Sequence, residues 1–599
     1  MSAAPIDETD LPRPLSAQVR FGALAAALVL LGLSLTLYKI HFPPGPVADE
    51  ATYVMMAQSL WHDLDLQYEA QDLERAYQLW DHGPHGMILF TTNGGDTMFY
   101  GKPYVYGLAA VPFYALFGAQ GLIVLNMVLL LAMVATAWWV LRRERGWVLL
   151  WVGGFFFLSV IYSYVFWMQP EVLNMACVFF PLAIWLEIRR KEHWTWKEHV
   201  LLALAGACLA CAFVSKEPTV LMGAPIAGDL MLRRRWSGLL PLALGSLLTL
   251  VALVGFQVKE TERWSPYRDV QRRSFENSYP LEMAGDPWAL YKGTSFGSWN
   301  RLPFETNPRV LSRNAGYFIF GRHTGLLPYM PFALFALALF AFGPRDRFRW
   351  MLLFSIGGYC LLLFLVRSHN YHGGAGFLGN RYLVSIYPAF LFLPAALRVR
   401  KALLVPCVAA ALWTVSVIAV PVQQIAGEFG LQVHTRSSTF QALPLELTLL
   451  RGGMIPGYWI RGWPGGTWIT PRQNFFAREK HPDGVWVRGA SDSDIILVSR
   501  GERESISLRL QSLSAKNVVT FETEAGTVRV RFDTEEKRQG TPVEIPLGEP
   551  VARDLDNFVF DGPERYYRIR LKVSDGMVPQ RRDPQSQDLR YLGVFLGWD

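Results

Sequence analysis

Runs of about twenty apolar residues, the length of helix that crosses a hydrocarbon core of about 30 Å, recur in this chain from Val19 to Val420. In such a solvent every backbone N–H and C=O must be bonded internally, and runs of this length satisfy that as helices. Composition agrees: 51% of the 599 residues are hydrophobic, 14% aromatic and 18% charged. A soluble chain of this size carries more charge. The sequence therefore reads as a polytopic α-helical membrane protein. Candidate spans lie near 19–40, 121–141, 147–167, 171–188, 199–214, 218–232, 237–257, 325–343, 349–366, 382–397 and 401–420. The first is long and lacks a small-x-small cleavage site before Phe42, so it reads as a retained span.

One apolar stretch, "PYVYGLAAVPFYALFG" at 103–118, is short and contains two prolines. Charge decides its place. If it is not a span and the N-terminus is cytoplasmic, the turns at 142–145, 189–197, 233–235, 344–349 and 398–401 all fall inside, and together they hold 16 Lys and Arg. The short outside turns then hold Lys216, Arg367 and Arg381. Counting 103–118 as a span inverts that distribution, against the positive-inside rule. The expectation is eleven spans after a cytoplasmic tail at 1–18, with 103–118 lying on the outer leaflet. The loops 41–120 and 258–324, the "MQPE" turn at 168–171, the turn 367–381 and everything beyond 420 are then outside.

From about residue 484 the periodicity changes to two. Tyr567, Ile569, Leu571 and Val573 alternate with Arg568, Arg570 and Lys572, and Val528, Val530 and Phe532 alternate with Thr527, Arg529 and Arg531, the mark of half-buried strands. Residues 523–527 read as a hairpin turn. A C-terminal all-β sandwich of jelly-roll type is expected over 484–599, joined by a linker region at 421–483. The five cysteines all lie in apolar runs, so neither disulfides nor a Cys-based zinc site are expected. The net charge of +7 is accounted for by the basic turns between spans rather than by nucleic acid.

Asp49 and Glu50 stand about ten residues past the first apolar run. Ionisable groups near a membrane are costly and usually face a cavity or a partner. A carboxylate can take a proton from an acceptor hydroxyl, and its neighbour can hold a cation or orient that hydroxyl; equally, the pair can serve as an N-cap for the helix that follows. Lys216 and Glu217 interrupt apolar sequence and read either as a pair with one another or with Lys216 facing a substrate. The histidine pairs His82/His85 and His369/His372 lack the spacing of a preorganised metal site, while His372 can hydrogen-bond a sugar or a phosphate. Trp and Tyr between 264 and 299 suit stacking on sugars or an interfacial position. Asp588 and Arg590 read as a structural contact.

"ADEATYVMMAQSL" (48–60), "GKPYVYGLAAVPFYALFG" (101–118) and Glu171 after a pair of spans resemble, in order and spacing over residues 15 to 260, the GT-C superfamily of membrane glycosyltransferases. The branch most similar is that of protein mannosyltransferases and aminoarabinose transferases, although "KPY" replaces the commoner Lys-Pro-Pro. The resemblance implies a polyprenyl-phosphate-linked sugar donor, a glycan, lipid or protein acceptor, and inverting transfer at the outer face of what is implied to be a bacterial inner membrane. It implies Asp49 as base, with Glu50 and Glu171 as further site acids and as ligands of a divalent cation, Mg or Mn. Lys102, Arg381 and Lys216 become donor-phosphate ligands, and Tyr53, His372 and Tyr382 substrate contacts. "GFLGNRYLVSIYP" (376–388) resembles a late element of these enzymes, with Arg381 opening a span; for Lys102 and Arg381 the alternative is an anchoring role at the interface. The β domain resembles carbohydrate-binding modules. A transporter or flippase of lipid-linked saccharides is the rival class, and the clustering of polar groups in outside loops rather than at midspan weighs against it.

Overall fold

The computed structural model describes residues 17–36, 46–80, 83–91, 97–142, 148–268, 270, 272–275, 295–296, 307–374, 378–394, 400–419, 433–450, 457–463, 465–471, 474–480, 482–555 and 562–597. His82 and the Trp and Tyr at 279, 288, 291 and 299 lie outside them. The chain divides into two compact units. Residues 1–304, 324–367 and 378–427 make up the first, and 305–323, 368–377 and 428–599 the second.

The first unit is helical. Its N-terminal part runs α1 (Ala17–Thr36), α2 (Asp49–His62), α3 (Ala70–Leu79), α4 (Val105–Phe117), α5 (Gly121–Leu141), α6 (Val148–Phe157), α7 (Ile161–Tyr164), α8 (Glu171–Ile188), α9 (Trp196–Ser215), α10 (Ala224–Leu232) and α11 (Trp236–Thr261). Among the described residues six helical stretches are long and apolar enough to cross a membrane: Val105–Leu141, Glu171–Ile188, Trp196–Ser215, Trp236–Thr261, Arg347–Val366 and Lys401–Ile418. Gly22–Thr36, Val148–Phe157 and Pro331–Phe342 are shorter apolar helices. The expected run 147–167 is split between α6 and α7, and the expected run 382–397 begins with two short helices, Arg381–Val384 and Tyr387–Leu391.

Helices α4 and α5 are contiguous in hydropathy but not in backbone. A 3-10 turn at Gly118–Gln120 separates them, with Gly118 at φ +59°. A Cβ at Gly121 would lie 2.2 Å from the Phe113 carbonyl oxygen, so glycine is required where the chain folds back. Helix α2 lies against α4, Met56 meeting Gly107. Helices α9 and α11 approach as closely as backbones can: a Cβ at Gly206 would strike the Leu242 carbonyl at 2.1 Å and one at Gly245 the Ala203 carbonyl at 2.0 Å. Small residues facing one another in this way let apolar helices associate without a hydrophobic driving force.

A small antiparallel sheet caps this unit, in the order β2-β1-β3-β4, from β1 (Met87–Thr91), β2 (Met98–Tyr100), β3 (Arg272–Phe275) and β4 (Ser295–Phe296). Strand β3 follows α11 in the chain, and its register, Phe90 opposite Arg272, carries an arginine from a distant loop to the end of β2.

The second unit is an antiparallel sandwich. Its strands are β5 (Gly457–Trp463), β6 (Gly466–Pro471), β7 (Glu479–Lys480), β8 (Asp483–Arg488), β9 (Ser491–Ser499), β10 (Ser505–Ser512), β11 (Val518–Thr523), β12 (Gly526–Arg531), β13 (Thr541–Pro546), β14 (Ala552–Arg553), β15 (Arg565–Val573) and β16 (Leu592–Gly597). One sheet runs β13-β10-β16-β8-β7 and the other β12-β11-β15-β9-β6-β5. From β8 onward the chain passes between the two sheets, giving the paired orders 8-16-10-13 and 9-15-11-12 of a jelly roll. The inward residues of both sheets, among them Trp468, Val487, Leu497, Leu508, Phe521, Ile545, Ile569 and Leu596, form one core. The hairpin turn joins Thr523 to Gly526, and Arg590 pairs with Asp588 at 2.7 Å and with Glu479 at 2.9 Å. The sheet begins earlier than the period-two pattern does. Strands β5 and β6 fall in the expected linker because glycine and proline in "GYWIRGW" and "GTWITP" interrupt the alternation.

Candidate active site

Asp49 is presented by a turn that no side chain caps. Val47 bridges His85, the Ala48 amide donates to the His85 carbonyl at 2.7 Å, and the chain enters α2 with Ala48 at φ +55°. A residue with a Cβ held there costs on the order of 1–3 kcal/mol and persists only when its surroundings over-determine it. The surroundings are β1 and its approach. The Thr52 hydroxyl donates to the Ala48 carbonyl at 2.8 Å and accepts the Ile88 amide at 2.9 Å. Ala48 occupies the N-cap without a side-chain hydrogen bond, so the helix-capping reading of Asp49 is not what the structure shows; the carboxylate is used elsewhere.

It is used in ion pairs. Asp49 Oδ1 meets Lys102 Nζ at 2.7 Å and Oδ2 accepts Arg381 Nη2 at 2.7 Å. The same guanidinium donates from Nε to Glu171 Oε1 at 2.5 Å. That oxygen also accepts Lys216 Nζ at 3.2 Å, and Lys216 reaches the Ser385 hydroxyl at 3.1 Å and lies 5.3 Å from the centre of the Tyr382 ring. Five of the sequence-derived site residues, Asp49, Lys102, Glu171, Lys216 and Arg381, are thus brought into one cluster, with Tyr382 over its edge. Lys216 does not pair with Glu217, which takes Arg268 at 2.7 Å instead.

Each cation is set by local backbone. Arg381 opens a short helix capped by Asn380, whose Oδ1 accepts the Leu383 amide at 3.0 Å. The Tyr164 hydroxyl anchors the approach to it at the Leu378 carbonyl, 2.8 Å away. Lys216 caps the C-terminus of α9 in an extended conformation, and a 3-10 helix at Glu217–Gly223, with Pro218 in its first turn, begins directly after it. Lys102 follows Gly101, whose amide donates to the Ile88 carbonyl at 2.7 Å and which leaves 3.0 Å between a Cβ position and that oxygen.

Glu50 faces a different partner. Its Oε1 accepts the Met168 amide at 3.1 Å, within the "MQPE" turn. That turn is held from inside the bundle by Asn126, fully buried on α5, whose Nδ2 donates to the Trp167 carbonyl at 2.7 Å and the Val165 carbonyl at 3.2 Å. Tyr106 completes the chain of contacts by donating to Asn126 Oδ1 at 3.3 Å. Tyr53, one helical turn after Asp49, packs edge-on against Tyr106 with ring centres 5.4 Å apart.

Burial by itself would raise the Asp49 pKa, but the charges of Lys102 and Arg381 and their hydrogen bonds override it and hold the carboxyl well below its usual range. Burial lowers Lys102 from its ordinary value against the pull of Asp49, and the charges of Arg272 and Arg381 add to the lowering. Arg272 was not among the sequence candidates. It stacks over Tyr267, 4.5 Å from the ring centre, and donates from Nη1 to the Gly101 carbonyl at 3.4 Å, which puts a further cation beside Lys102. Asn126 and Ser385 were likewise missed; a lone asparagine inside an otherwise apolar run was the available signal for the first.

The cluster does not fit a divalent cation. Asp49 and Glu171 are already neutralised by lysine and arginine, Glu50 is turned to a backbone amide, and among the described residues no three His, Cys, Asp or Glu side chains gather as ligands. His372 belongs to the second unit, where it is buried and burial drives its imidazole down to about 3, with His323 adding to the effect. His369 Nδ1 donates to the Thr448 carbonyl at 3.0 Å.

No family model and no curated protein matches the chain. Solved structures similar to it include ArnT from Cupriavidus metallidurans bound to undecaprenyl phosphate, at 15% identity and a TM-score of 0.37 over 63% of this chain and 60% of that one. The apo state of the same ArnT is similar at 15% identity and a TM-score of 0.36. Arabinosyltransferase EmbB from Mycobacterium smegmatis is similar at 11% identity and a TM-score of 0.32, over 98% of this chain and 64% of that one. The chain spans less than two thirds of the length of each of these proteins.

Proposed function

We propose that the chain is a GT-C-type glycosyltransferase that moves one sugar from a polyprenyl-phosphate donor to an acceptor hydroxyl at the outer face of a membrane. The observation that carries this reading is the sharing of Arg381 by Asp49 and Glu171, with Lys102 on the free oxygen of Asp49. A base and its phosphate-binding cations thereby occupy one buried place.

The arrangement supplies a trigger as well as a site. While Lys102 and Arg381 hold Asp49, its carboxylate is a poor base. A donor phosphate offers both cations a more strongly charged partner, and Arg272 adds a third positive group. As the cations turn to the phosphate, Asp49 loses the charges that depress it, burial dominates, and its affinity for a proton rises. The carboxylate then takes the acceptor's hydroxyl proton as the oxygen attacks C1. The C1–O bond to the phosphate breaks, the phosphate leaves with the electron pair onto Lys102, Arg381 and Arg272, and the anomeric centre inverts. Donor binding and base activation become one event, so the carboxylate is a competent base only while a donor is in place.

Purified protein in detergent, given radiolabelled polyprenyl-phosphate sugars and a membrane-glycan extract, is expected to release the lipid phosphate and label the extract. Asp49→Asn should fold normally and lose at least about a hundredfold in rate, the usual scale of a positioned base. Donor that crosses a bilayer uncleaved, with no phosphate release by either protein, would favour translocation and remove the transferase reading.

A further inference from the structure

We infer that the start of α8 carries a hydroxyl-binding subsite, formed by the free oxygen of Glu171 and the carboxamide of Asn174, which reads the sugar of the donor. This rests on the transferase reading. Glu171 is 0% exposed and Asn174 1%. Glu171 Oε1 is taken by Arg381 and Lys216, which fixes the carboxylate and leaves Oε2 without a hydrogen-bond partner; both side-chain atoms of Asn174, and Oε1 of the nearby Gln169, are without one too. Four buried polar atoms within six residues thus have unfilled capacity, one in the turn before α8 and three in its first turn, whose neighbours Val172, Met175 and Val178 are fully buried.

Helix geometry puts Glu171 and Asn174 on one face of α8. Residues three apart are neighbours on a helix surface, and side chains lean toward the N-terminus, so that Asn174 covers the turn that carries Glu171. The chemistry selects the ligand. Glu171 Oε2 accepts only, and the carboxamide both donates and accepts, the complement of adjacent hydroxyls that each do both. A phosphate, which has oxygens and no donors, would face a carboxylate there and is repelled. The cations hold the phosphate and the first turn of α8 holds the sugar.

The test is transfer by the full-length protein with polyprenyl-phosphate-linked hexoses and pentoses and their singly deoxygenated counterparts, the acceptor extract held constant. Wild type is expected to lose at least about tenfold in kcat/KM for one particular deoxy donor, because a site built to bond a hydroxyl rejects its absence. Asn174→Leu, similar in shape, should lose that discrimination and a comparable factor on the full donor, with an unchanged or higher Tm. Asn174→Ala serves if the leucine variant does not fold. A variant that keeps wild-type transfer and the same ranking of deoxy donors overturns the subsite while leaving the transferase reading intact. Should wild type release no phosphate from any donor, the transferase reading falls, and donor-induced shifts in Tm then decide the subsite: a shift in wild type that Asn174→Leu lacks supports it, and equal shifts overturn it.

Discussion

Between Asp49 and Glu171 a single guanidinium is divided, Nη2 to one carboxylate and Nε to the other, and the two acids are otherwise served by a lysine each. A lysine at 381 would offer one nitrogen where the guanidinium offers two, Nε and Nη2, each directed at its own carboxylate. Removing one member of such a buried group leaves an uncompensated charge, which is why the pairs are better read as a device for placement than as a source of stability. The acids and cations themselves were legible in the sequence, since charge at the edge of an apolar run stands out. Their partnership was not: Asp49 and Arg381 are 332 residues apart, and no local pattern encodes a contact at that separation. Asn126 carries the residue-scale prediction. It supports the turn that donates to Glu50, so Asn126→Ala and Glu50→Gln should each lower kcat, and the double variant should fall little further than the worse single one. Independent losses that multiply would make Asn126 a purely structural residue. Two freed carbonyls should also lower stability by about 1–3 kcal/mol apiece.

Among the elements, α3 and β2 form a clip just before Lys102. Asp72 on α3, 1% exposed, accepts the Tyr100 hydroxyl at 3.2 Å and the Glu69 amide at 3.0 Å, and Arg75 reaches it at 3.3 Å while pairing with Asp63. Burial pushes the Asp72 carboxyl up to about 7 from 3.8. A raised carboxyl pKa means that the folded state holds the proton more tightly, so this residue's contribution to stability falls as pH rises from about 4 to about 7 and is level above. Asp72→Asn, fixed in the neutral state, should therefore gain on wild type in Tm across that window; a difference that does not change with pH would show that the carboxyl ionises freely. Element types were readable where hydropathy is periodic or sustained, as in α5, α8 and α9. The small sheet was not, because β1 to β4 are short and β3 is recruited from behind α11. Neither was the β5–β6 hairpin, whose glycines and prolines hide its alternation.

For the molecule as a whole, two units with different physics occupy one chain. The first has apolar helices that meet through glycine, and the second a conventional hydrophobic sandwich core. The second unit buries His372 and His434, and burial drives both down to about 3. Because the unfolded imidazoles titrate near 6.5, stability supplied by keeping them neutral is complete above that pH and is lost as pH falls from about 6.5 toward 3. Unfolding of the second unit, followed by near-ultraviolet circular dichroism, should shift to lower temperature on acidification through this range, and His372→Phe should blunt the shift. The two-part architecture was visible from the change in period, and its border was not. Residues 305–323 and 368–377 join the second unit from within the helical half of the sequence, a choice made by tertiary packing alone.

The position of Arg381 in the chain also sets an order of events during synthesis. Asp49 and Glu171 emerge long before it, and until it arrives neither acid has the cation that they share. Membrane insertion of the N-terminal helices accordingly precedes the closing of the charge cluster, and the site is completed as one of the last acts of making the helical unit. A nascent chain that ends short of residue 381 has Lys102 and Lys216 for these two acids but lacks the one guanidinium that joins them.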